Sequence, residues 1–162
     1  MAYFLFLVNP NLAYDPYPDW RAWEPMIEAG RFPASTWNTG NRRSGMEPGD
    51  RAFIVKVGED PRGLVGACVL TSEIYLGPHW NPEARSVETG YVDIETRAVL
   101  DLDDPLTLDE LRTIGDSVQW TPRQSGTVIP DQVGDLLWSI LFDEIKGGTG
   151  EATWHTLNES FE

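Results

Sequence analysis

Two apolar segments separated by a short turn place the strongest constraint on how this 162-residue chain can fold. Residues 50–57 read DRAFIVKV, residues 64–74 read LVGACVLTSEI, and the sequence GEDPRG between them is rich in turn-forming residues. Nearly every position of the second segment is apolar up to Leu70, which is typical of a strand that is covered on both faces. The pattern predicts a β-hairpin at the centre of a sheet.

Strand and helix signals alternate along the rest of the chain. Thr107 and Glu110 have the spacing of a capping box, which predicts the start of a short helix. Pro25 interrupts the first helical segment, so we expect a kink or a division into two helices there. The order of the segments predicts an α+β fold in which one mixed sheet curls into a small barrel with helices packed outside. Further strands are predicted at residues 2–8, at residues 91–100 and within residues 119–129, and helices at residues 17–30, 106–115 and 130–148.

Two tryptophans lie in polar segments that lack the apolar periodicity of a strand or helix. Trp37 lies in residues 31–50, beside a pair of arginines, and Trp80 lies in residues 75–90. Because these predicted loops flank the hairpin, we expect them to end on the same side of the sheet. Two indole rings brought together there could form a slot for a planar ring. The alternative interpretation is that each tryptophan only covers the core.

The charge of the chain limits its partners. A net charge of −14 argues against a nucleic-acid partner, because phosphate contacts require Lys and Arg. The charge is uneven, however: residues 98–162 carry 3 basic and 13 acidic side chains, whereas residues 37–97 carry 7 and 9. A local basic surface on an acidic protein is compatible with these numbers, although each basic residue could equally be a solvated surface charge. The candidate phosphate contacts are Arg42, Arg43, Lys56 and Arg123.

The residues that enzymes use for catalysis are scarce. The single cysteine, Cys68, lies in an apolar run and is expected to be a buried, unreactive thiol. The two histidines, His79 and His155, have no metal-ligand spacing, and neither a P-loop nor a dinucleotide-binding glycine motif occurs. We therefore predict a binding domain that is not an enzyme and has no metal or cofactor. An enzyme that uses Cys68 or His79 is the remaining catalytic alternative.

The two ends of the chain predict its location and domain limits. The apolar N-terminus has no basic lead and is too short for a membrane span, so we expect a cytoplasmic protein. Residues 148–162 are mostly Gly, Thr and acidic residues, which predicts a flexible acidic tail or linker after a domain at residues 1–147.

Several segments in a fixed order carry a family resemblance. They read YFLFLVNPN, STWNTG, GDRAFIVKVGEDPRGLVGACVLTSE, PHW and YVDIE, followed by a late W.P..SG..I pattern. This succession resembles the EVE domain of the PUA-like superfamily, a relative of the YTH domain, over most of residues 2–140. The resemblance implies a pseudo-barrel that holds a flipped modified base in an aromatic cage.

The resemblance also assigns site residues. It places Trp37 and Trp80 at the two cage positions, and Asn9 or Asn11 at the polar position that bonds the edge of the base. Trp120 is either a third cage wall or a core residue. The further candidates for hydrogen bonds to the base are Asn38, Ser72 and Ser125.

The function implied by the resemblance is recognition of a modified base in DNA, with 5-methylcytosine or 5-hydroxymethylcytosine as the target. The chain would be the recognition module of a modification-dependent restriction system, with a fused or partner HNH nuclease. The first alternative is a reader of 6-methyladenine or another modified base in RNA or DNA. The second is a small-molecule or protein-interaction module on the same barrel.

Overall fold

Strands dominate the architecture of the computed structural model, which describes residues 1–11, 16–79, 83, 88–123 and 125–142. The elements in chain order are β1 (Tyr3–Val8), α1 (Tyr17–Glu28), β2 (Ala34–Gly40), β3 (Arg51–Lys56), β4 (Gly63–Leu70), β5 (Tyr75–Pro78), β6 (Glu88–Val99), β7 (Leu106–Thr107), α2 (Leu108–Ile114), β8 (Thr127–Ile129) and α3 (Asp131–Phe142). The proposed tail at residues 148–162 lies outside the described residues.

The described strands form one mixed sheet with the order β2-β6-β4-β3-β1-β8, to which β5 adds beside β6 and β7 beside β4. Strands β3 and β4 form the antiparallel hairpin at its centre, and β1 runs parallel to β3. The α+β class, the mixed sheet and the central hairpin are therefore confirmed. Among the described residues no pairing joins the outer strands β2 and β8, so curling into a barrel stays a prediction.

The sheet buries both of its faces. In β1, Tyr3 and Leu5 pack into one apolar cluster, while Phe4 and Phe6 pack into the other, because alternate residues of a strand point to opposite faces. Helices α2 and α3 contribute to the first cluster, and α1 contributes Trp20 to the second. We call these sides the α3 face and the α1 face.

Helix α3 packs very closely on the start of β1. A Cβ atom at Gly134 would lie 2.2 Å from the ring of Tyr3, so only glycine permits this approach. The hydroxyl of Tyr3 donates a hydrogen bond of 2.6 Å to Asp135, and Arg51 lies 4.3 Å from the ring centre of Trp138. These contacts fix α3 against the sheet.

The helical predictions are largely confirmed. The capping box of α2 is present. The Thr107 hydroxyl accepts a hydrogen bond from the backbone amide of Glu110, and the Glu110 carboxylate accepts one from the backbone amide of Thr107. Helix α1 is a single 12-residue helix with Pro25 inside it, so the predicted division into two helices is wrong.

The prediction of a continuous loop at residues 31–50 is also wrong. Residues 34–40 form β2, which pairs antiparallel with β6. This strand is polar and carries little local sequence signal, and its pairing with β6 supplies the backbone hydrogen bonds that define it. The predicted loop at residues 75–90 likewise begins with β5 and ends with the first residues of β6.

Candidate functional site

A cleft of about 500 Å³ opens on the α1 face of the sheet, between α1, the end of β1 and the outer strand β2. Its volume falls within the range of small-ligand pockets. The residues that line it are Leu7, Val8, Asn9, Asp19, Trp20, Trp23, Ser35, Thr36, Trp37, Asn38, Tyr91, Thr96 and Ser125. We call this the tryptophan cleft.

Trp37 forms a rigid wall of the tryptophan cleft. It lies on β2 and is half-buried, and its indole stacks on Phe6 with ring centres 5.8 Å apart and planes 6° from parallel. Phe6 is itself fully buried. Because this packing holds the indole in place, a planar ligand would meet a surface that needs no further ordering.

Helix α1 supplies two more tryptophans to the same cleft. Trp20 and Trp23 are three residues apart and therefore share one helix face. Trp20 is buried beside Gly66 of β4, whereas Trp23 is half-buried. The apolar spacing of both residues on a helix favours a core role, which Trp20 has in the apolar cluster of the α1 face. The same spacing does not show that this helix face also meets a cleft. Trp20 and Trp23 are the main site residues that sequence reasoning missed.

Two of the predicted polar residues lie in the tryptophan cleft with side chains suited to a ligand. The carboxamide oxygen of Asn9 accepts a hydrogen bond of 3.1 Å from the backbone amide of Asn11, and the Asn9 side chain lies against Gly58. No described residue accepts a hydrogen bond from the side-chain nitrogen of Asn9. The Ser125 hydroxyl accepts from the Leu7 amide at 2.8 Å, which holds the residue at the end of β1.

Asn38 also lines the cleft, but its side chain is already bonded within the protein. Its amide group donates to Thr89 at 3.0 Å and to the Gly90 carbonyl at 3.2 Å, and its oxygen accepts from the Gly40 amide. Both amide hydrogens are thus used in shaping the end of β2, which argues against direct donation to a ligand.

Two other predicted base contacts lie away from the lining. Asn11 is exposed, and its backbone amide donates to Asn9. The Ser72 hydroxyl donates to the Glu73 carbonyl at 2.8 Å and accepts from the Asp93 amide at 2.9 Å. The geometry gives Ser72 a turn-forming role beside β6.

The cage assignment of Trp120 is wrong. Its ring is buried with the α3-face cluster, and its indole nitrogen donates to the Gly115 carbonyl at 3.0 Å. The central sheet therefore lies between Trp120 and the tryptophan cleft. The other predicted cage residue, Trp80, lies outside the described residues.

The four candidate phosphate contacts divide into two pairs. Lys56 is buried and donates to the Leu102 carbonyl, so its assignment to phosphate is wrong. Arg42 is half-buried, donates to the Gly126 carbonyl at 2.8 Å and lies 5.3 Å from the ring centre of Phe4. Arg43 and Arg123 are exposed and flank this contact along the chain, so they are the better-placed pair.

The described structure offers little for catalysis. Cys68 is fully buried, as expected, and burial raises the pKa of its thiol, which disfavours the thiolate that a nucleophile needs. Both observations argue against an enzyme that uses this thiol. His79 does not line the tryptophan cleft. Among the described residues, no group of three or more His, Cys, Asp or Glu side chains could hold a metal ion.

Solved structures share this fold at low sequence identity. The human THYN1 protein, in a crystal structure with DNA containing 5-methylcytosine, matches with a TM-score of 0.57 and 15% identity over 89% of this chain and 99% of that one. A hypothetical protein from Leishmania major matches with a TM-score of 0.57 and 15% identity over 85% of this chain and 92% of that one. A Pseudomonas syringae protein matches with a TM-score of 0.51 and 14% identity over 84% of this chain and 97% of that one.

The chain shares the fold of these proteins. The mixed sheet and the α+β class that the sequence resemblance implies are thereby confirmed, while closure into a barrel stays a prediction. No protein-family model matches the sequence, and no curated protein is significantly similar to it. None of the helices in the described part of the chain combines the length and apolar character that a membrane crossing requires.

Proposed function

We propose that this chain binds a modified base of a nucleic acid in the tryptophan cleft, with DNA favoured over RNA. The observation that carries the proposal is the indole of Trp37, held by Phe6 at the wall of a cleft sized for a small ring. The human protein of the same fold was crystallised with 5-methylcytosine DNA. We therefore take 5-methylcytosine and 5-hydroxymethylcytosine as the first candidates, and 6-methyladenine or another modified base in RNA or DNA as the alternative.

The energetics of base extrusion favour a cleft of this kind. Removing a base from the helical stack costs a few kcal/mol, and stacking on an aromatic side chain returns about 1–3 kcal/mol per base. Trp37 offers a fixed stacking surface, and Trp23 lies in the same cleft. Hydrogen bonds from Asn9 to the edge of the ring would add specificity, because an extruded base no longer forms the hydrogen bonds of its base pair.

The wider role that we propose is recognition in a modification-dependent restriction system, with an HNH nuclease fused to this domain or acting as its partner. Its support is the sequence resemblance. The domain would comprise residues 1–147, with residues 148–162 as a linker. A reader that only recognises the base needs no catalytic group of its own, which agrees with the burial of Cys68.

The proposal is tested by fluorescence-anisotropy titration at low salt with five labelled oligonucleotides. They are unmodified, 5-methylcytosine, 5-hydroxymethylcytosine and 6-methyladenine DNA, and a 6-methyladenine RNA. We expect one modified member to bind more tightly than the unmodified DNA. Trp37→Ala should weaken that binding by the stacking contribution of about 1–3 kcal/mol, which is roughly 5- to 150-fold.

Trp138→Ala is the matched control, because Trp138 is also half-buried but lies on α3, on the opposite face of the sheet. It should keep the affinity of the unchanged protein. Trp37→Phe should retain part of the binding, since a smaller ring can still stack. Equal or absent binding across the five oligonucleotides would contradict the proposal and favour a small-molecule or protein ligand.

A further inference from the structure

The side of the tryptophan cleft that β2 and β6 form carries hydroxyl groups. Ser35 lies two positions before Trp37 on β2, so both side chains point to the α1 face. Thr96 of β6 pairs with Cys68, which belongs to the apolar cluster of that same face, and directly paired residues share a face. Ser35 and Thr96 both line the cleft, and we call them the hydroxyl wall.

The polar groups of the cleft stand on two different sides of it. Asn9 follows β1 directly, and β1 lies near the opposite end of the strand order from β2 and β6. The stacking of Phe6 on Trp37 brings β1 and β2 together on the α1 face, so Asn9 and the hydroxyl wall border one cleft. A ring stacked on Trp37 therefore has polar partners beside more than one of its edges.

The cleft has space for more than a base. Its volume of about 500 Å³ is that of pockets for drug-sized ligands, which are larger than a single pyrimidine. In a cytosine, C5 lies directly across the ring from C2, which carries the acceptor oxygen O2. A ring whose O2 accepts a hydrogen bond from the Asn9 side chain therefore directs its 5-substituent away from β1, toward the hydroxyl wall.

We propose that the tryptophan cleft selects a cytosine whose C5 carries a bulky, neutral, hydroxyl-rich substituent, the class to which glucosylated 5-hydroxymethylcytosine belongs. The hydroxyl wall would bond the substituent. This inference rests on the proposed function and names the class of modification within it. A hydroxyl both donates and accepts, so Ser35 and Thr96 can each bond a sugar hydroxyl and also keep a bond within the protein. The net charge of −14 disfavours an anionic substituent such as a carboxylate.

Helix α1 adds a surface that suits a sugar ring. Trp23 is half-buried and lines the same cleft. A hexose has C–H groups on its faces and hydroxyls at its rim, so it can pack on an indole while its hydroxyls reach polar side chains. A methyl group has no atom that can form a hydrogen bond with the hydroxyl wall. The lining therefore matches a glucosyl substituent better than a methyl group.

Three oligonucleotides of one sequence test the inference. They carry 5-methylcytosine, 5-hydroxymethylcytosine or glucosylated 5-hydroxymethylcytosine, the last prepared from the second with a glucosyltransferase, and are titrated by fluorescence anisotropy at low salt. We expect the glucosylated form to bind about five- to thirtyfold more tightly than the hydroxymethylated form, the effect of one or two hydrogen bonds. The free nucleosides, titrated by quenching of tryptophan fluorescence, should show the same preference, because the sugar is bound in the cleft and not in a groove of the DNA.

Two variants test the hydroxyl wall. Ser35→Ala should reduce the preference for the glucosylated form about fivefold, the effect of one hydrogen bond. Thr96→Val replaces the other hydroxyl with a methyl group and should also reduce the preference. Ser44→Ala is the matched control, because it removes an exposed hydroxyl outside the cleft lining, and it should keep the preference of the unchanged protein. Circular dichroism verifies that the variants stay folded.

The outcomes separate this inference from the proposed function. If the glucosylated form binds no more tightly than the hydroxymethylated form, while binding still depends on Trp37, the inference is overturned and a base reader remains. A preference that neither Ser35→Ala nor Thr96→Val reduces, or that the free nucleosides lack, also overturns it, because the sugar then lies outside the cleft. Binding neither to these three oligonucleotides nor to the set of five described above overturns both.

Discussion

Asn9 is the polar residue of the tryptophan cleft best placed to bond the edge of a base. It follows β1 directly, its oxygen is bonded to the Asn11 amide, and its side chain rests against Gly58, where any Cβ would come within 2.5 Å of it. Its amide group has no acceptor among the described residues. The side chain is therefore oriented and still able to donate.

Asn9→Ala should weaken binding of the preferred base about fivefold, the effect of losing one hydrogen bond of roughly 1 kcal/mol. Titration of the preferred oligonucleotide measures the change. Asn11→Ala is the control and should bind as tightly as the unchanged protein, because its side chain lies outside the cleft lining and only its amide contacts Asn9. Equal losses in the two variants would show that the loop, and not the Asn9 side chain, determines affinity.

At this scale the sequence predicted some site residues and misplaced others. Trp37, Asn9 and Ser125 do line the cleft. Asn9 directly follows β1, a strand that the sequence predicts, whereas Trp37 lies on β2, a strand that the sequence did not predict. Trp120 also stands beside a polar segment, yet it faces the opposite side of the sheet. Which face a loop tryptophan meets depends on the helices that cover the sheet, and no local pattern encodes that.

Gly66 links an element of the sheet to the position of α1. A Cβ atom there would lie 3.3 Å from Trp20 and 3.0 Å from the Ala98 carbonyl. Because the β6 backbone cannot yield easily, the added methyl group would push the Trp20 ring by a few tenths of an ångström. The shape of the tryptophan cleft thus depends on a glycine in a strand that does not line it.

Gly66→Ala should lower the free energy of unfolding by about 1–3 kcal/mol, as overpacking commonly does, and should also weaken ligand binding under native conditions. Urea denaturation and nucleoside titration measure the two effects. Gly134→Ala is the matched control: it should destabilise the protein through its clash with Tyr3 on the α3 face but leave the affinity of the folded protein unchanged. If the Gly66→Ala variant binds the ligand with the affinity of the unchanged protein, the shape of the cleft does not depend on Gly66.

Elements with strong local signals were predictable, and elements defined by pairing were not. The central hairpin has long apolar strands around a turn, and the capping box of α2 lies within four residues of sequence. Strand β2 is polar and becomes a strand through its partner β6, whose paired residues lie 50 or more positions further along the chain. The tryptophan cleft depends on that pairing, so its outline could not be read from the sequence.

The whole molecule is acidic, and among the residues that the structure describes few exposed cations lie beside the cleft. The net charge is −14, and of the four basic residues first considered for phosphates, Lys56 is buried and Arg42 ties β2 to the segment that precedes β8. Arg43 and Arg123 remain exposed next to that contact. A reader built this way gains its affinity mainly from the base and only weakly from the phosphate backbone.

This distribution predicts a shallow salt dependence. Each phosphate contact on duplex DNA contributes about −0.9 to the slope of log K against log salt concentration, so two contacts give a slope of about −2. Arg43→Ala and Arg123→Ala should each reduce the slope by about 0.9, and the double variant should bind with almost no salt dependence. Arg112→Ala, on α2 and paired with Asp109 at 3.3 Å, is the control and should leave the slope unchanged. Anisotropy titrations of the preferred oligonucleotide at several salt concentrations measure these slopes. A much steeper slope, or one that the double variant retains, would mean that phosphates are held by other residues and that the backbone supplies much of the affinity.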